Sequence, residues 1–365
     1  MDYDAISFDT QTVETKGFHF DGGMLGQLKQ FKDGPTAVII SEVVAKEVLK
    51  HLVEKTRSAK DAIENASKKA SEYGLIANAC PPFKQEPVDV KAIAATRLWA
   101  FFGAIGATNV PVDGVTSRQL IDLYFTPAPP FSASGKKKNE FPDAIALLSL
   151  EAWAQKEGKK VLAVSGDKDW ITFGEKSELI DVVETLGEGL AKLQEHVDEA
   201  NAVMARFLGG IVSGADPDLS DELFSLVADE VSGLSVYGEA DSAYSVEADQ
   251  VDLTLQKLTI ISDPEKLEFV VVQAGPQIIV ARVEADLKVL AEASFSLSIY
   301  DSIDKDYVGM GSIDASREED IRVSLLVTFE GDFESNDIAL TQAEIVDAPG
   351  SIDFGYIEPD YGEDG

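Results

Sequence analysis

The sequence predicts an α/β domain, with a parallel sheet flanked by helices, followed by a helical segment and an antiparallel β-rich acidic domain. In residues 1–180, short apolar runs alternate with segments whose apolar residues recur at helical spacing, which is the pattern of β-α units. After Gly233, apolar residues recur at every second position, as in antiparallel strands. The charge changes as well, because residues 1–180 hold 24 acids and 22 bases whereas residues 181–365 hold 41 acids and 9 bases.

The first half contains three predicted strands and four predicted helices. Each strand is a short apolar run between turn residues, and the predicted ranges are 5–8, 37–40 and 160–164. Apolar residues at helical spacing predict helices over 42–73, as one helix or two, and over 89–106, 117–124 and 140–157. The proline cluster at 127–130 ends the third of these helices.

The second half begins with a predicted helix from Leu186 to Phe207, in which apolar residues recur at steps of three and four. Residues 209–220 are rich in glycine and aspartate and are predicted as a loop, with one more helix over 221–231. Strands are predicted at 251–255, 267–272, 278–283, 295–299, 321–327 and 338–345. The predicted organisation is therefore a domain at 1–180, a helical connector at 181–235, the acidic β-rich domain at 236–350 and a frayed acidic tail at 351–365.

Composition excludes several functional classes. The one cysteine, Cys80, excludes an internal disulfide and a multi-cysteine zinc site, and the three histidines match no zinc spacing. The acidic N-terminus does not suit a signal peptide, and no apolar run approaches the roughly 20 residues that span a bilayer. These features favour a soluble, cytoplasmic protein without a membrane partner. The net charge of −34 is concentrated in the second half, so nucleic acid is expected to bind only at the first half.

Acidic residues follow the predicted strands or begin the predicted helices of the first half. Asp9, Glu47, Asp143 and Asp167 hold such positions, and ligands of an open parallel sheet bind at the carboxyl ends of its strands. Four carboxylates at this edge would repel one another unless a hard cation lay between them, which suits Mg²⁺ or Mn²⁺. The alternative is structural, with Asp9 and Asp143 as helix caps and Asp167 in an Asx turn.

Four sequence blocks, in order, resemble those of the PIN-domain nucleases. The blocks are Ile6-Ser7-Phe8-Asp9-Thr10, then 40–49 with Glu47 six residues after Ser41, then Phe141-Pro142-Asp143-Ala144-Ile145-Ala146-Leu147, and finally Val164-Ser165-Gly166-Asp167-Lys168-Asp169-Trp170. The stretch 137–143, Lys-Lys-Asn-Glu-Phe-Pro-Asp, is similar to that of a bacterial PIN-like subgroup. The resemblance covers residues 5–170 and leaves the second half unassigned.

The resemblance implies a PIN-like sheet and a divalent-metal-dependent endoribonuclease that hydrolyses phosphodiester bonds in RNA or single-stranded nucleic acid. It assigns catalysis and Mg²⁺ or Mn²⁺ binding to Asp9, Glu47, Asp143 and Asp167, with Asp169 as an outer metal ligand. Glu140, three residues before Asp143, is a further candidate metal ligand, and Glu42 is a reserve candidate. Thr10 and Ser165 would orient carboxylates, and Lys136, Lys137 and Lys138 would contact substrate phosphate. Each auxiliary residue also has a plainer interpretation: Glu140 as compensation of the helix dipole, Thr10 and Ser165 as turn or cap residues, and the lysines as a solvated run.

Two departures from the family pattern bear on function. A long excursion separates Lys50 from Lys136, which would alter a substrate groove, and Trp170 replaces the Phe usual in the last block. A second interpretation is therefore a non-catalytic PIN-like binding or assembly protein whose acidic β domain contacts a protein partner. A third is a phosphoesterase that acts on a small substrate in a closed pocket.

Overall fold

The fold was analysed in a computed structural model of the chain. It describes residues 3–73, 89–126, 129, 131, 141–194, 197–248, 250–262, 267–303, 306–332 and 337–358. The chain divides into two compact units, unit 1 at Met1–Leu193 and unit 2 at Gln194–Gly365. None of the helices in these described ranges is long and apolar enough to cross a membrane.

Unit 1 is built on a five-stranded parallel sheet. Its strands are β1 (Ala5–Phe8), β2 (Ala37–Ser41), β3 (Thr108–Val110), β4 (Val161–Val164) and β5 (Ile180–Val183). Their order is β3-β2-β1-β4-β5, and every pair is parallel. Every residue of β1 and β4 is buried, as expected for central strands covered by helices on both faces. The predicted α/β fold with a parallel sheet is therefore confirmed.

The helices of unit 1 connect these strands. They are α1 (Thr10–Thr15), α2 (Gly23–Gly26), α3 (Glu42–Glu72), α4 (Val90–Ala104), α5 (Ser117–Phe125), α6 (Phe141–Glu157), α7 (Lys168–Gly174) and α8 (Leu186–Lys192), with 3₁₀ turns at Gln27–Phe31 and Val112–Gly114. The segment predicted as one helix or two is the single helix α3. Its buried residues, from Val44 to Leu52, all lie in the first third of the helix, so only that part packs on the core.

Unit 2 contains two helices and an antiparallel sheet, as predicted. The helices are α9 (Val197–Ser213) and α10 (Pro217–Gly233), and the strands are β6 (Tyr237–Asp241), β7 (Ser245–Ala248), β8 (Asp252–Ile260), β9 (Phe269–Ala274), β10 (Ile278–Asp301), β11 (Asp306–Asp332), β12 (Asp337–Asp347) and β13 (Ser351–Tyr356). β10 pairs on one side with β7, β8 and β9 in succession and on the other with β11, which pairs with β12. Helix α10 packs against both β8 and β12, and β6 pairs with β13 in a separate parallel sheet.

Several predicted elements of the second half are wrong in detail. The strands predicted at 278–283 and 295–299 belong to the single strand β10, because buried and more exposed residues alternate without a break between them. The predicted helix 186–207 is divided between α8 and α9. The loop predicted at 209–220 is mostly helical, since α9 continues to Ser213 and Pro217 begins α10 after Asp216, whose carboxylate accepts from Leu219 N.

The predicted domain limits also differ from the compact units. The limit at residue 180 falls on the first residue of β5, which belongs to the parallel sheet, and unit 1 ends at Leu193. Residues 351–356, placed in the tail by the sequence, form strand β13 and pair with β6.

The packing of α8 on the sheet gives a test of unit 1. A Cβ at Gly189 would lie 2.8 Å from Val164 Cγ2, and one at Gly103, in α4, would meet no atom within 4 Å. We expect Gly189→Ala to lower the free energy of unfolding by about 1–3 kcal/mol through overpacking. Gly103→Ala should instead leave it unchanged or raise it by up to about 1 kcal/mol, because alanine favours helix. Urea denaturation measures both, and an unaffected Gly189→Ala variant would contradict the packing.

Candidate functional site

Acidic side chains meet at the carboxyl edge of the parallel sheet. Asp9 directly follows β1, Asp167 follows β4, and Asp143 lies in the first turn of α6. Asp143 experiences the negative charges of Asp9, Asp167 and Asp169, and Glu47 experiences that of Asp143. The fold therefore brings these five predicted carboxylates into one electrostatic cluster, which we call the acidic edge.

Asp9 is held in place by hydrogen bonds to both of its carboxylate oxygens. Its Oδ1 accepts from the backbone N of Thr12 at 2.7 Å, and its Oδ2 accepts from Ser165 Oγ at 2.5 Å. The Ser165 hydroxyl also accepts from the backbone N of Asp167 at 3.0 Å. With 5% of its surface exposed, Asp9 is the most deeply buried acid of the site. Ser165 thus joins the end of β1 to the loop after β4.

Glu47 lies in the second turn of α3 and accepts a hydrogen bond from Thr10 Oγ1 to Oε2 at 3.0 Å. Burial raises the pKa of this carboxyl, the Thr10 hydrogen bond opposes the increase, and the charge of Asp143 adds to it. His51, one turn later, lowers the pKa of Glu47, and its Nδ1 lies 2.9 Å from Glu14 Oε1. The Thr10 hydroxyl therefore contacts the site by hydrogen bonding to the Glu47 carboxylate.

Asp143 is the carboxylate most influenced by the others. Burial is the main cause that raises its pKa, a hydrogen bond from Trp170 Nε1 to Oδ1 at 3.0 Å lowers it, and the charges of Asp167, Asp9 and Asp169 raise it further. The indole of Trp170 is 1% exposed. Sequence reasoning noted Trp170 only as a replacement of the family's usual Phe and missed this contact, although a buried indole N–H needs an acceptor.

The capping roles considered from the sequence are present as well. Asp9 caps α1, and Asp167 caps α7 by accepting from the backbone N of Asp169 to Oδ1 at 2.7 Å. Asp143 instead accepts from Trp170. A carboxylate oxygen has two lone pairs, so an oxygen that caps a helix can still contact a cation. The structural role and a metal role are compatible here.

A buried serine pair, which sequence reasoning also missed, braces the helices that carry Glu47 and Asp143. Ser149 Oγ in α6 donates to Ser41 Oγ at 3.0 Å, and Ser41 caps α3 by accepting from Val43 N. Both serines are almost fully buried. The signal in the sequence was a lone polar residue in an apolar helix, a position that usually requires a hydrogen-bond partner.

The remaining predicted site residues are not part of this cluster as far as the structure describes them. Glu140, Lys136, Lys137 and Lys138 are outside the described residues. Glu42, at the start of α3, differs from Glu47: its Oε1 lies 2.5 Å from Lys46 Nζ and its Oε2 accepts from Val112 N, and these contacts lower its pKa.

The opposite edge of the sheet shows how acids are normally compensated. There Lys160 Nζ lies 2.8 Å from Asp181 Oδ2, and this bond holds the pKa of Asp181 below its usual range. At the acidic edge, within the described ranges, no lysine or arginine forms a salt bridge with Asp9, Glu47 or Asp143. The carboxylates of Asp9, Glu47 and Asp143 therefore lack the kind of partner that Lys160 provides for Asp181.

The donor set fits a hard divalent cation, since every donor is a carboxylate oxygen. As the side chains stand, no three acids, histidines or cysteines of the described ranges are arranged to hold a metal ion. Binding of a metal ion would therefore require some of these carboxylates to adopt other rotamers. A bound cation would relieve the mutual repulsion among these carboxylates.

Removing one charge from the acidic edge should stabilise the metal-free protein. The pKa of Asp143 is higher in the folded than in the unfolded protein. The folded state therefore loses stability as the pH rises from the unfolded-state pKa to the folded-state pKa of this carboxyl. Asp143→Asn keeps the Trp170 acceptor and removes this loss. At pH 7 in EDTA we expect a melting temperature higher by roughly 2–4 °C, a gain on the order of 1 kcal/mol. The difference should vanish as the pH falls below about 4, where the Asp143 carboxyl becomes protonated in both the unfolded and the folded state. A lower melting temperature of Asp143→Asn at pH 7 would contradict this prediction.

The comparisons with known proteins concern the same part of the chain. A family model described as PIN domain matches residues 6–170, which include all five carboxylates of the acidic edge. No curated protein matches the chain, and no solved structure does. Over residues 6–170, the chain is therefore similar to the PIN domain family.

Proposed function

We propose that unit 1 is a divalent-metal-dependent endoribonuclease that hydrolyses phosphodiester bonds in RNA or single-stranded nucleic acid. One observation carries the proposal: a half-buried Asp143 that is repelled by three other acids within the segment that matches a nuclease-type family. Acids arranged in this way cost stability, which indicates a function that needs them.

The residues of the acidic edge would have separate roles in metal binding and in orienting the carboxylates. Asp9, Glu47, Asp143 and Asp167 would hold one or two Mg²⁺ or Mn²⁺ ions, with Asp169 at the margin. A bound metal ion would polarise the phosphodiester and lower the pKa of a bound water. Ser165 and Thr10 would keep Asp9 and Glu47 oriented through their hydrogen bonds, as supporting groups do around metal sites.

Substrate would approach unit 1 rather than unit 2. Residues 1–180 are nearly balanced in charge, whereas residues 181–365 carry 41 acids against 9 bases and repel phosphate. Lys136, Lys137 and Lys138 form a basic triplet shortly before Asp143 in the sequence, and we propose that they contact the backbone phosphates next to the scissile bond.

Cleavage of labelled single-stranded RNA with Mn²⁺ tests the activity. We expect Glu47→Gln and Asp143→Asn each to reduce the rate by on the order of 100-fold or more, because each removes a charge that holds the metal. Glu64→Gln is the matched control, since Glu64 lies on the same helix α3 and pairs with Lys60 on the surface. Its rate should equal that of wild type.

The failure of this assay would have a definite meaning. If folded wild-type protein cuts neither single- nor double-stranded RNA or DNA with Mg²⁺ or Mn²⁺, the nuclease proposal is wrong. The non-catalytic assembly role would then be the better account. If Glu47→Gln and Glu64→Gln lose activity equally, the acidic edge is not the active site.

Trp170 gives a prediction about pH. Its indole N–H lowers the pKa of Asp143, so Trp170→Phe removes that effect and the pKa rises. Asp143 then takes up a proton at a higher pH, and the acid limb of the pH–rate profile should move to higher pH. We expect the rate at high pH to fall less than about tenfold, since the carboxylate is ionised there. If Trp170→Phe lowers the rate at every pH but leaves the acid limb of the pH–rate profile at the same pH, Trp170 has only a packing role.

A further inference from the structure

A cluster of aromatic side chains lies where α5 ends and α6 begins. The rings of Tyr124 and Phe141 are stacked, with centroids 5.4 Å apart and an interplanar angle of 22°. Phe131 packs edge-on against both rings, with its centroid 5.5 Å from that of Tyr124 and 4.9 Å from that of Phe141. Phe125 packs edge-on against Tyr124, at 5.2 Å. We call these four residues the aromatic platform.

The platform is anchored at one ring and open at two others. Phe131 is 2% exposed, whereas Phe125 and Phe141 are 76% and 39% exposed. Rings that pack edge-on and stacked against a buried ring are held in defined orientations. The two exposed phenylalanines therefore present ordered aromatic surface to solvent.

The platform lies at the same end of α6 as the acidic edge. A Cβ added to Gly114, three residues before α5 begins, would lie 2.9 Å from Ala152 Cβ in the second half of α6. Tyr124, near the end of α5, instead stacks on Phe141, the first residue of α6. Helix α5 therefore runs antiparallel to α6, and its last turn lies beside the first turn of α6, which carries Asp143. Phe141 precedes Asp143 by two residues, a rise of about 3 Å along the helix.

The sequence around the platform is basic, unlike the chain as a whole. Residues 117–140 hold four bases and two acids, whereas the whole protein has a net charge of −34. A segment of this charge attracts the phosphates of a nucleic acid. Stacking of a base on an aromatic ring needs no charge, so it can hold a strand close to acids that repel phosphate. A nucleic acid with unpaired bases fits both features, because its bases stack and its phosphates are negative.

We propose that the aromatic platform binds the bases of a single-stranded nucleic acid beside the acidic edge. An unpaired base stacks on the exposed ring of Phe125 or Phe141, and the strand continues toward Asp143. The bases of a duplex are already stacked and paired within the helix, so the platform selects single strands over double strands. This inference rests on the function proposed for unit 1 and adds to it the residues that choose the form of the substrate.

The test is binding of a fluorescein-labelled single-stranded RNA of about 12 nucleotides to the full chain, measured by fluorescence anisotropy in EDTA, where metal-dependent cleavage is blocked. We expect Phe125→Leu, which keeps an apolar side chain but loses the ring, to bind at least about fivefold more weakly than wild type, which corresponds to about 1 kcal/mol. Phe125→Trp keeps a ring and should bind at least as tightly as wild type. Trp99→Leu is the matched control and should bind as wild type does, since Trp99 is a 51% exposed ring of α4 that packs on Phe102, outside the platform.

A ribose-phosphate chain of the same length with abasic nucleotides separates stacking from a structural effect. It keeps the phosphates and lacks the bases, so wild type and Phe125→Leu should bind it equally, and the same holds for the RNA duplex. The proposal is overturned if wild-type protein does not bind the single strand, if Phe125→Leu binds it as wild type does, or if Phe125→Leu loses as much affinity for the abasic chain. It is also overturned if Trp99→Leu and Phe125→Leu have equal effects.

The outcome of this assay can be separated from that of the nuclease assay, because it contains no metal ion and measures no cleavage. Ring-dependent binding in a protein that cuts nothing would refute the nuclease proposal alone. Cleavage of RNA by a protein in which Phe125→Leu leaves single-strand binding unchanged would refute the platform alone.

Discussion

The repulsion among carboxylates at the acidic edge is the interaction on which the account of unit 1 depends. A parallel sheet brings the ends of its strands to one edge, so Asp9 after β1 and Asp167 after β4 become neighbours. Helices α3 and α6 add Glu47 and Asp143. Burial raises the pKa of both, yet the described lysines and arginines do not pair with them. Asp9 is held in place by hydrogen bonds from Thr12 and Ser165, and Glu47 and Asp143 each accept one hydrogen bond, from Thr10 and Trp170.

In unit 2, the basic residues of strands β10 and β11 pair with acids. Strand β10 pairs over its full length with β11, with ion pairs such as Lys288–Glu318 across the exposed face. Strand β9 is covered by the side chain of Gln194, which donates to the carbonyl of Val272. With 41 acids against 9 bases in residues 181–365, however, most of the acids in this half have no basic partner to pair with.

Much of unit 1 could be predicted from the sequence because its signals are local. A buried apolar run followed by an acid and then a helical pattern specifies both an element and a position at the sheet edge. Contacts across the chain could not be predicted in this way: Trp170 reaches back 27 positions to Asp143, and Ser149 reaches 108 positions to Ser41. Strand β3 was missed because it is only three residues long. Strand β5 is as long as β1 and β4, but the charged Asp181 interrupts its apolar residues.

In unit 2 the sequence located the strands but not their lengths. Between Val283 and Phe295, three of the five buried positions of β10 are alanines (Ala285, Ala291 and Ala293), which lack the large apolar side chains that mark a strand. The loop between α9 and α10 was predicted to be too long because its glycines suggested a loop, whereas Gly209 and Gly210 lie within α9.

The most direct test is an equilibrium titration with Mn²⁺, followed by the electron paramagnetic resonance signal of the free ion. A protein of net charge −34 collects cations weakly over its surface, so Asp143→Asn must be compared with Glu64→Gln, which removes an equal charge from the same unit. The account predicts one or two tight ions in wild type and Glu64→Gln, bound on the order of tenfold or more weakly by Asp143→Asn. Identical titrations of the two variants would contradict it.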